Sequence, residues 1–456
     1  MPRGAIVGLV FAVALALRLP GLWTDFWLDE IWAVSNVAAL PSVLAVFTGI
    51  HHDSNHWLIS LWFYAVGQDS PFWVYRLPSL ASGLASVWVA GLLAREEGAS
   101  PALAMLLVAV AFPLAFYATE ARGYAVAAGA GLTSLYCLLR WLDSASPRWL
   151  VAHWAAATIG LLGHLSFIAI IGAEAVFLIV LSKVGAVPSR GRMRPLALPV
   201  IVLAVLIVVD LRFLELGGGP DLDYPQLLTD VAALALGAPV GLRWTPWLAI
   251  VGGAAVLGAL LTAARSATAG GGDRGVRQLL WLFYALVLLA PLVLVPATNP
   301  PFLFPRYFLV GLAFMPILAA RVLTPLTARV RWTVVTGLLL LNGWSYAEFW
   351  SVGRGHYAEA LLDISAASAG VPAAVRGDHD FRTRKIVHFY RDRLSAPHAG
   401  LRYSEANPEF FIVSHPDAAG PPDWCGDCEL FGRYPSSPLS GARWLVYRRS
   451  PSRGVK

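Results

Sequence analysis

The chain has 456 residues, of which 57% are hydrophobic and only 14% charged, with a formal net charge of +6. An average soluble domain carries about 25% charged residues, and a water-soluble fold of this size has nowhere to hide so much apolar surface. The composition excludes a soluble globular protein, and it excludes a nucleic-acid binder because the basic residues lie mostly in short loops between apolar runs.

An apolar stretch needs about 17–25 residues to cross a bilayer as a helix. About eleven occur, near 4–20, 76–94, 101–118, 122–141, 148–163, 166–182, 196–213, 245–264, 278–296, 307–323 and 332–348. They predict an all-α polytopic membrane protein of about 11 transmembrane helices. The first run ends in Arg18-Leu19-Pro20 without a small-residue cleavage site, so it reads as a retained span and not a signal peptide. The run 57–67 is too short to span and reads as an interfacial helix.

Basic residues recur in alternate loops. Arg3 is followed by Arg95, by Arg140 with Arg148, and by Lys183, Arg190, Arg192 and Arg194. The series continues through Arg265, Arg274 and Arg277 to Arg321, Arg329 and Arg331. The positive-inside rule places the N-terminus in the cytoplasm, and an odd number of spans then places the tail outside. The expected organisation is a membrane domain, 1–348, with a long outside loop at 21–75, and an extracytoplasmic domain, 349–456, in a bacterial plasma membrane. A second outside loop, 214–243, opens with Gly217-Gly218-Gly219-Pro220 and holds a short helix at 226–236. The tail mixes a helical stretch at 356–369 with strand-like runs at 409–414 and 443–448, which predicts a small α/β appendage. Its Trp424-Cys425-Gly426-Asp427-Cys428 lacks the strand and helix of a thioredoxin site, and reads as a short-loop disulfide.

The candidate chemistry gathers in the outside loops. Asp29 and Glu30 stand among aromatics just beyond the first span, where low dielectric can tune a carboxylate into a general base. The same two residues also suit a helix N-terminus. His51-His52-Asp53-Ser54-Asn55-His56 is the densest polar cluster. Its His51, His52, Asp53 and His56 suit a divalent cation; Asp53, Asn55 and His56 equally suit a polar substrate, or Asp53 or Ser54 caps the next helix. Glu120, Arg122 and Tyr124 stand at a membrane boundary, where charge is costly unless paired or functional. Arg306 and Tyr307 head a later span on the same side. Arg76, Arg122 and Arg306 break the positive-inside bias together, which points to an anionic ligand in the outer leaflet, and a lipid-linked phosphate fits that depth. His164, in a short turn, reads as structural.

These pieces resemble the polytopic glycosyltransferases of the C superfamily, the relatives of protein O-mannosyltransferases and of the lipid A aminoarabinose transferase. The resemblance rests on Leu28-Asp29-Glu30, on the polar cluster before Trp57, on Tyr75-Arg76-Leu77-Pro78-Ser79, on Glu120-Ala121-Arg122-Gly123-Tyr124, and on Pro305-Arg306-Tyr307. It implies a polyprenyl-phosphate-linked sugar donor, an extracytoplasmic acceptor (envelope glycan, glycolipid or protein) and transfer with inversion. It also implies that the acidic pair Asp29 and Glu30 holds the catalytic base. The Asp-x-His-Pro-Pro run of the O-mannosyltransferases is replaced here by Asp53-Ser54-Asn55-His56-Trp57, one residue longer and without prolines. The rival reading is a multi-pass transporter or flippase, whose site is expected at the bilayer midplane and not on one face.

Overall fold

The computed structural model describes residues 4–187, 191–219, 221–241, 245–269, 275–368, 372–394, 400–414, 425 and 428–450. Arg3, Arg190, Pro220, Arg274, Trp424, Gly426 and Asp427 lie outside the described residues. The chain folds as two compact units. One is formed by Met1–Leu22 with Val37–Tyr346, the other by Trp23–Asn36 with Ala347–Lys456.

The first unit is a helical bundle and makes the chain an integral membrane protein. Six of the described helices are long and apolar enough to cross a membrane, or seven if the bent pair Pro305–Leu312 and Met315–Leu323 is one span. The hydropathy pattern has eleven apolar stretches, of which 101–118 and 148–163 form helices shorter than 18 residues. The 101–118 stretch is two helices, Pro101–Val110 and Phe112–Tyr117. The break follows from Pro113, which has no N–H and whose ring clashes with the carbonyl four residues back. That carbonyl belongs to Ala109, and it accepts from buried Arg18 Nη1 at 2.9 Å. The N–H of Phe112 donates to Asn342 Oδ1 at 2.6 Å. The interruption is thus satisfied by two polar side chains, as a lipid environment demands.

The Tyr124–Ser144 helix is central and almost wholly buried. Its Ala- and Gly-rich face lets the Leu77–Glu96 and Pro147–Gly163 helices approach closely. A short apolar helix is present at Trp57–Val66, and the helix expected at 226–236 runs from Tyr224 to Leu236. Inside the bundle Ser134 Oγ donates to Glu174 at 2.8 Å, and His153 Nε2 lies 3.7 Å from the same carboxylate.

The second unit is a five-stranded sheet with helices. The strands are β1 (Ala373–Gly377), β2 (Leu401–Tyr403), β3 (Phe410–Val413), β4 (Cys428–Tyr434) and β5 (Trp444–Arg449), in the order β2-β1-β3-β5-β4. β1 runs parallel to both β2 and β3, with the Asp380–Arg391 helix as the crossover, while β5 is antiparallel to β3 and β4. The buried runs 410–413 and 444–447 explain why two strands are legible in sequence. Cys425 and Cys428 form a disulfide. Trp23–Asn36 packs into this unit: Phe26 stacks on Phe389, Tyr390 Oη donates to Phe26 O at 2.8 Å, and Asp25 accepts from Ala358 N at 2.9 Å.

Candidate functional site

In the second unit the Leu28–Ala38 helix carries both acidic candidates in its first turn, where their charge favours the helix dipole. They differ in environment. Glu30 is fully buried beside fully buried Arg354, with Oε2 3.9 Å from Nε, whereas Asp29 is partly exposed. A buried carboxylate held against a guanidinium is suited to structure; a partly exposed one can meet a substrate.

In the first unit, loop 51–56 folds over the start of the Trp57–Val66 helix. Neither Asp53 nor Ser54 caps that helix: the N-cap is His56, without a side-chain capping bond. Asn55 is spent as a brace, donating to Val46 O at 2.8 Å and to Ile50 O at 3.1 Å while accepting from Ser60. Asp210, fully buried at the end of its helix, takes His51 Nδ1 at 2.8 Å and Trp57 Nε1 at 2.6 Å. Residues 214–217 then run beside the loop: Asp53 N donates to Glu215 O at 3.1 Å, and Glu215 N to His51 O at 2.8 Å. Burial pushes the Asp53 carboxyl up, but His52 at 2.8 Å, the charge of Arg122 and the Gly217 N–H together hold it below the usual range. His51 is thus committed to Asp210 and His56 to a backbone N–H. Among the described residues no group of three or more His, Cys, Asp or Glu converges on a metal position. His51, His52, Asp53 and His56 are not brought together as such a group.

His56 and His164 meet at the turn before the Tyr124–Ser144 helix. His56 Nδ1 accepts from Gly123 N at 2.6 Å, and the two imidazoles pack edge to face with centroids 4.6 Å apart. Gly123 allows this approach, since a Cβ there would collide with the carbonyl oxygen of Gly163. Tyr124 packs on both imidazoles, and its hydroxyl accepts from Arg306 Nε at 3.1 Å. Arg122 Nη1 donates to Ser54 O at 3.4 Å, and Arg306 lies over the Phe304 ring at 3.8 Å. Burial, then the charges of Arg122 and Arg306, push both imidazoles down, His164 to about 3 and His56 well below its ordinary value. Both are therefore neutral at physiological pH.

These residues stand at the end of an apolar cavity of about 1160 Å³. Asp53, His56, His164, Asp210 and Tyr307 line its polar end. Apolar side chains wall the remainder, from segments 165–176, 211–216, 228–235, 250–257, 286–295 and 300–315. Arg122, Arg306 and Tyr124 stand behind that lining. The fold does not bring every candidate here. Arg76 is fully buried and donates to Gly21 O and Leu22 O at 3.1 and 2.9 Å, closing the end of the first helix. Glu120 is fully buried and lines no part of the cavity. Sequence reading gives no site role to His164 or Asp210, each a lone polar residue at the end of an apolar run; that position is their only signal.

No protein-family model matches the chain, and no curated protein does. Solved structures do. ArnT from Cupriavidus metallidurans in the apo state aligns with a TM-score of 0.58 at 15% identity, over 97% of this chain and 98% of that one. The same protein bound to undecaprenyl phosphate gives 0.55 at 15%, over 98% of each. The archaeal oligosaccharyltransferase AglB from Archaeoglobus fulgidus, in complex with an inhibitory peptide and a dolichol-phosphate, gives 0.50 at 10%, over 90% of this chain and 69% of that one. The chain therefore shares the fold of these solved structures. The shared fold extends over nearly the whole chain in the ArnT alignment.

Proposed function

We propose that the chain is a glycosyltransferase that moves a sugar from a polyprenyl-phosphate donor to an extracytoplasmic acceptor, with its N-terminus in the cytoplasm. The observation that carries this reading is the cavity, a large apolar chamber that ends in neutral imidazoles backed by two guanidiniums. An isoprenoid fits the chamber and an anionic phosphate fits its head. The fold shared with a structure bound to undecaprenyl phosphate supports the same donor class.

In the reaction an acceptor hydroxyl attacks the anomeric carbon. The bond from that carbon to the phosphate oxygen breaks with inversion, its electron pair stays on the phosphate, and the hydroxyl proton passes to a carboxylate. Asp29 is assigned as that base, because it is the partly exposed member of the acidic pair and Glu30 is held by Arg354. Arg122 and Arg306 balance the charge that returns to the lipid phosphate.

The test is turnover of radiolabelled polyprenyl-phosphate sugars by purified protein in lipid, wild type against Asp29→Asn. A folded variant with turnover reduced by about 10²–10⁴-fold supports the assignment. Survival of turnover moves the base to Asp53. If wild type turns over no such donor, the transferase reading is wrong and transport of lipid-linked solutes takes its place.

A further inference from the structure

Two imidazoles at the head of the cavity have tautomers fixed by the backbone. His56 Nδ1 accepts from Gly123 N at 2.6 Å, and His164 Nδ1 accepts from Ser166 N at 3.0 Å. A ring nitrogen that accepts carries no proton, so in each neutral imidazole the proton is on Nε2. Both side chains line the cavity. His56 Nε2 is buried with no hydrogen-bond partner among the described residues. A buried donor without an acceptor is costly, and a ligand oxygen that accepts from it recovers the loss.

We propose that His56 and His164 act as paired neutral donors that position the phosphate oxygens of the lipid-linked donor at the head of the cavity. This inference rests on the proposed function and adds two ligand contacts to it. Their edge-to-face packing at 4.6 Å puts both rings in one place. Tyr124 stands against both rings and accepts from Arg306, so the guanidinium and the imidazoles are held as one assembly. The division of labour is chemical. The guanidiniums supply charge from behind the lining, and the imidazoles supply directional N–H groups at the cavity wall without adding charge.

The amide side chains separate this role from a merely structural one. Asparagine places its carbonyl where imidazole has Nδ1, and so keeps the backbone brace while removing the Nε2 donor. Glutamine reaches the Nε2 position with an NH₂ group. The experiment measures affinity for undecaprenyl phosphate in nanodiscs for wild type, His56→Asn, His164→Asn and the two glutamine variants, with unfolding midpoints recorded alongside. The expected result is that the folded asparagine variants bind about 10- to 100-fold more weakly, while the glutamine variants recover most of the loss. Histidine ¹⁵N shifts should show the Nε2–H tautomer at both sites, which reports on wild type whatever the variants do. Wild-type affinity in the asparagine variants, weaker binding with glutamine than with asparagine, or an Nδ1–H tautomer overturns the inference and leaves the transferase reading standing. A wild type that binds no undecaprenyl phosphate overturns both.

Discussion

Asp29 and Glu30 are neighbours in one helical turn, yet their environments predict opposite phenotypes. Glu30 and Arg354 are both fully buried at 3.9 Å, and removing one partner of a buried ion pair typically costs about 3–5 kcal/mol. Glu30→Ala should therefore lower the unfolding midpoint and the yield of folded protein, whereas Asp29→Asn should leave both near wild type and lower turnover by about 10²–10⁴-fold. Equal stabilities of the two variants, measured by denaturant unfolding in detergent, would remove the structural role of Glu30. The histidines give a pH signature. His164 has a folded value of about 3 against 6.5 for an unperturbed imidazole, so below pH 6.5 the unfolded chain binds the extra proton. Stability contributed by neutral His164 is complete above 6.5 and falls as pH drops toward 3. Between pH 7.5 and 5 the loss is about 2 kcal/mol. His164→Gln should lose less stability than wild type over that interval, by about this amount; identical losses would mean that the folded imidazole takes up its proton as readily as the unfolded one. Sequence makes the acidic pair and the loop cluster visible because their residue types are rare among apolar runs. It does not show that Arg76 is consumed by the carbonyls of Gly21 and Leu22, or that Asp210 gathers His51 and Trp57 from more than 150 positions away.

Among the elements, the interrupted span at 101–117 is the clearest case of a local rule met by distant residues. Pro113 is readable as a helix breaker, but its compensation by Arg18 and Asn342 is not, since nothing local links position 112 to 342. Asn342 also donates to Leu236 O and Leu338 O, at 3.2 and 2.7 Å, so it ties the break to two further segments. Asn342→Leu takes this acceptor from the Phe112 N–H inside the bundle, and should destabilise the protein by about 1–3 kcal/mol. Thermal or denaturant unfolding in detergent would register this as a lower midpoint; an unchanged midpoint would show that another group takes over the N–H. The turn at Gly123 predicts a functional effect instead. Alanine there collides with Gly163 O, so the two turns must separate, and the His56 bond to Gly123 N goes with them. The expected outcome for Gly123→Ala is a loss of lipid-phosphate affinity at least as large as that of His56→Asn.

For the whole molecule, the hydropathy pattern gives the class of fold correctly and the small sheet in part, because bilayer thickness and buried strands both leave long apolar runs. Among the described residues six or seven helices are long and apolar enough to span, so the count of about eleven rests on the hydropathy pattern alone. The orientation inferred from basic residues can be tested with introduced thiols. Cys137 is buried and Cys425 is joined to Cys428, so a new cysteine has little background among the described residues. Gln68 and Ser144 are both exposed; Gln68 follows the short Trp57–Val66 helix and Ser144 ends the Tyr124–Ser144 span. With the N-terminus in the cytoplasm, Gln68→Cys belongs to the outside loop and Ser144→Cys to the Arg140–Arg148 loop within. A membrane-impermeant maleimide added to intact cells should label Gln68→Cys and not Ser144→Cys, and permeabilisation should expose the second site. The reverse pattern would invert the topology and put the head of the cavity on the cytoplasmic side. An extracytoplasmic acceptor would then be impossible, while the chemistry of an anionic lipid headgroup against Arg122, Arg306 and the two imidazoles would be unchanged.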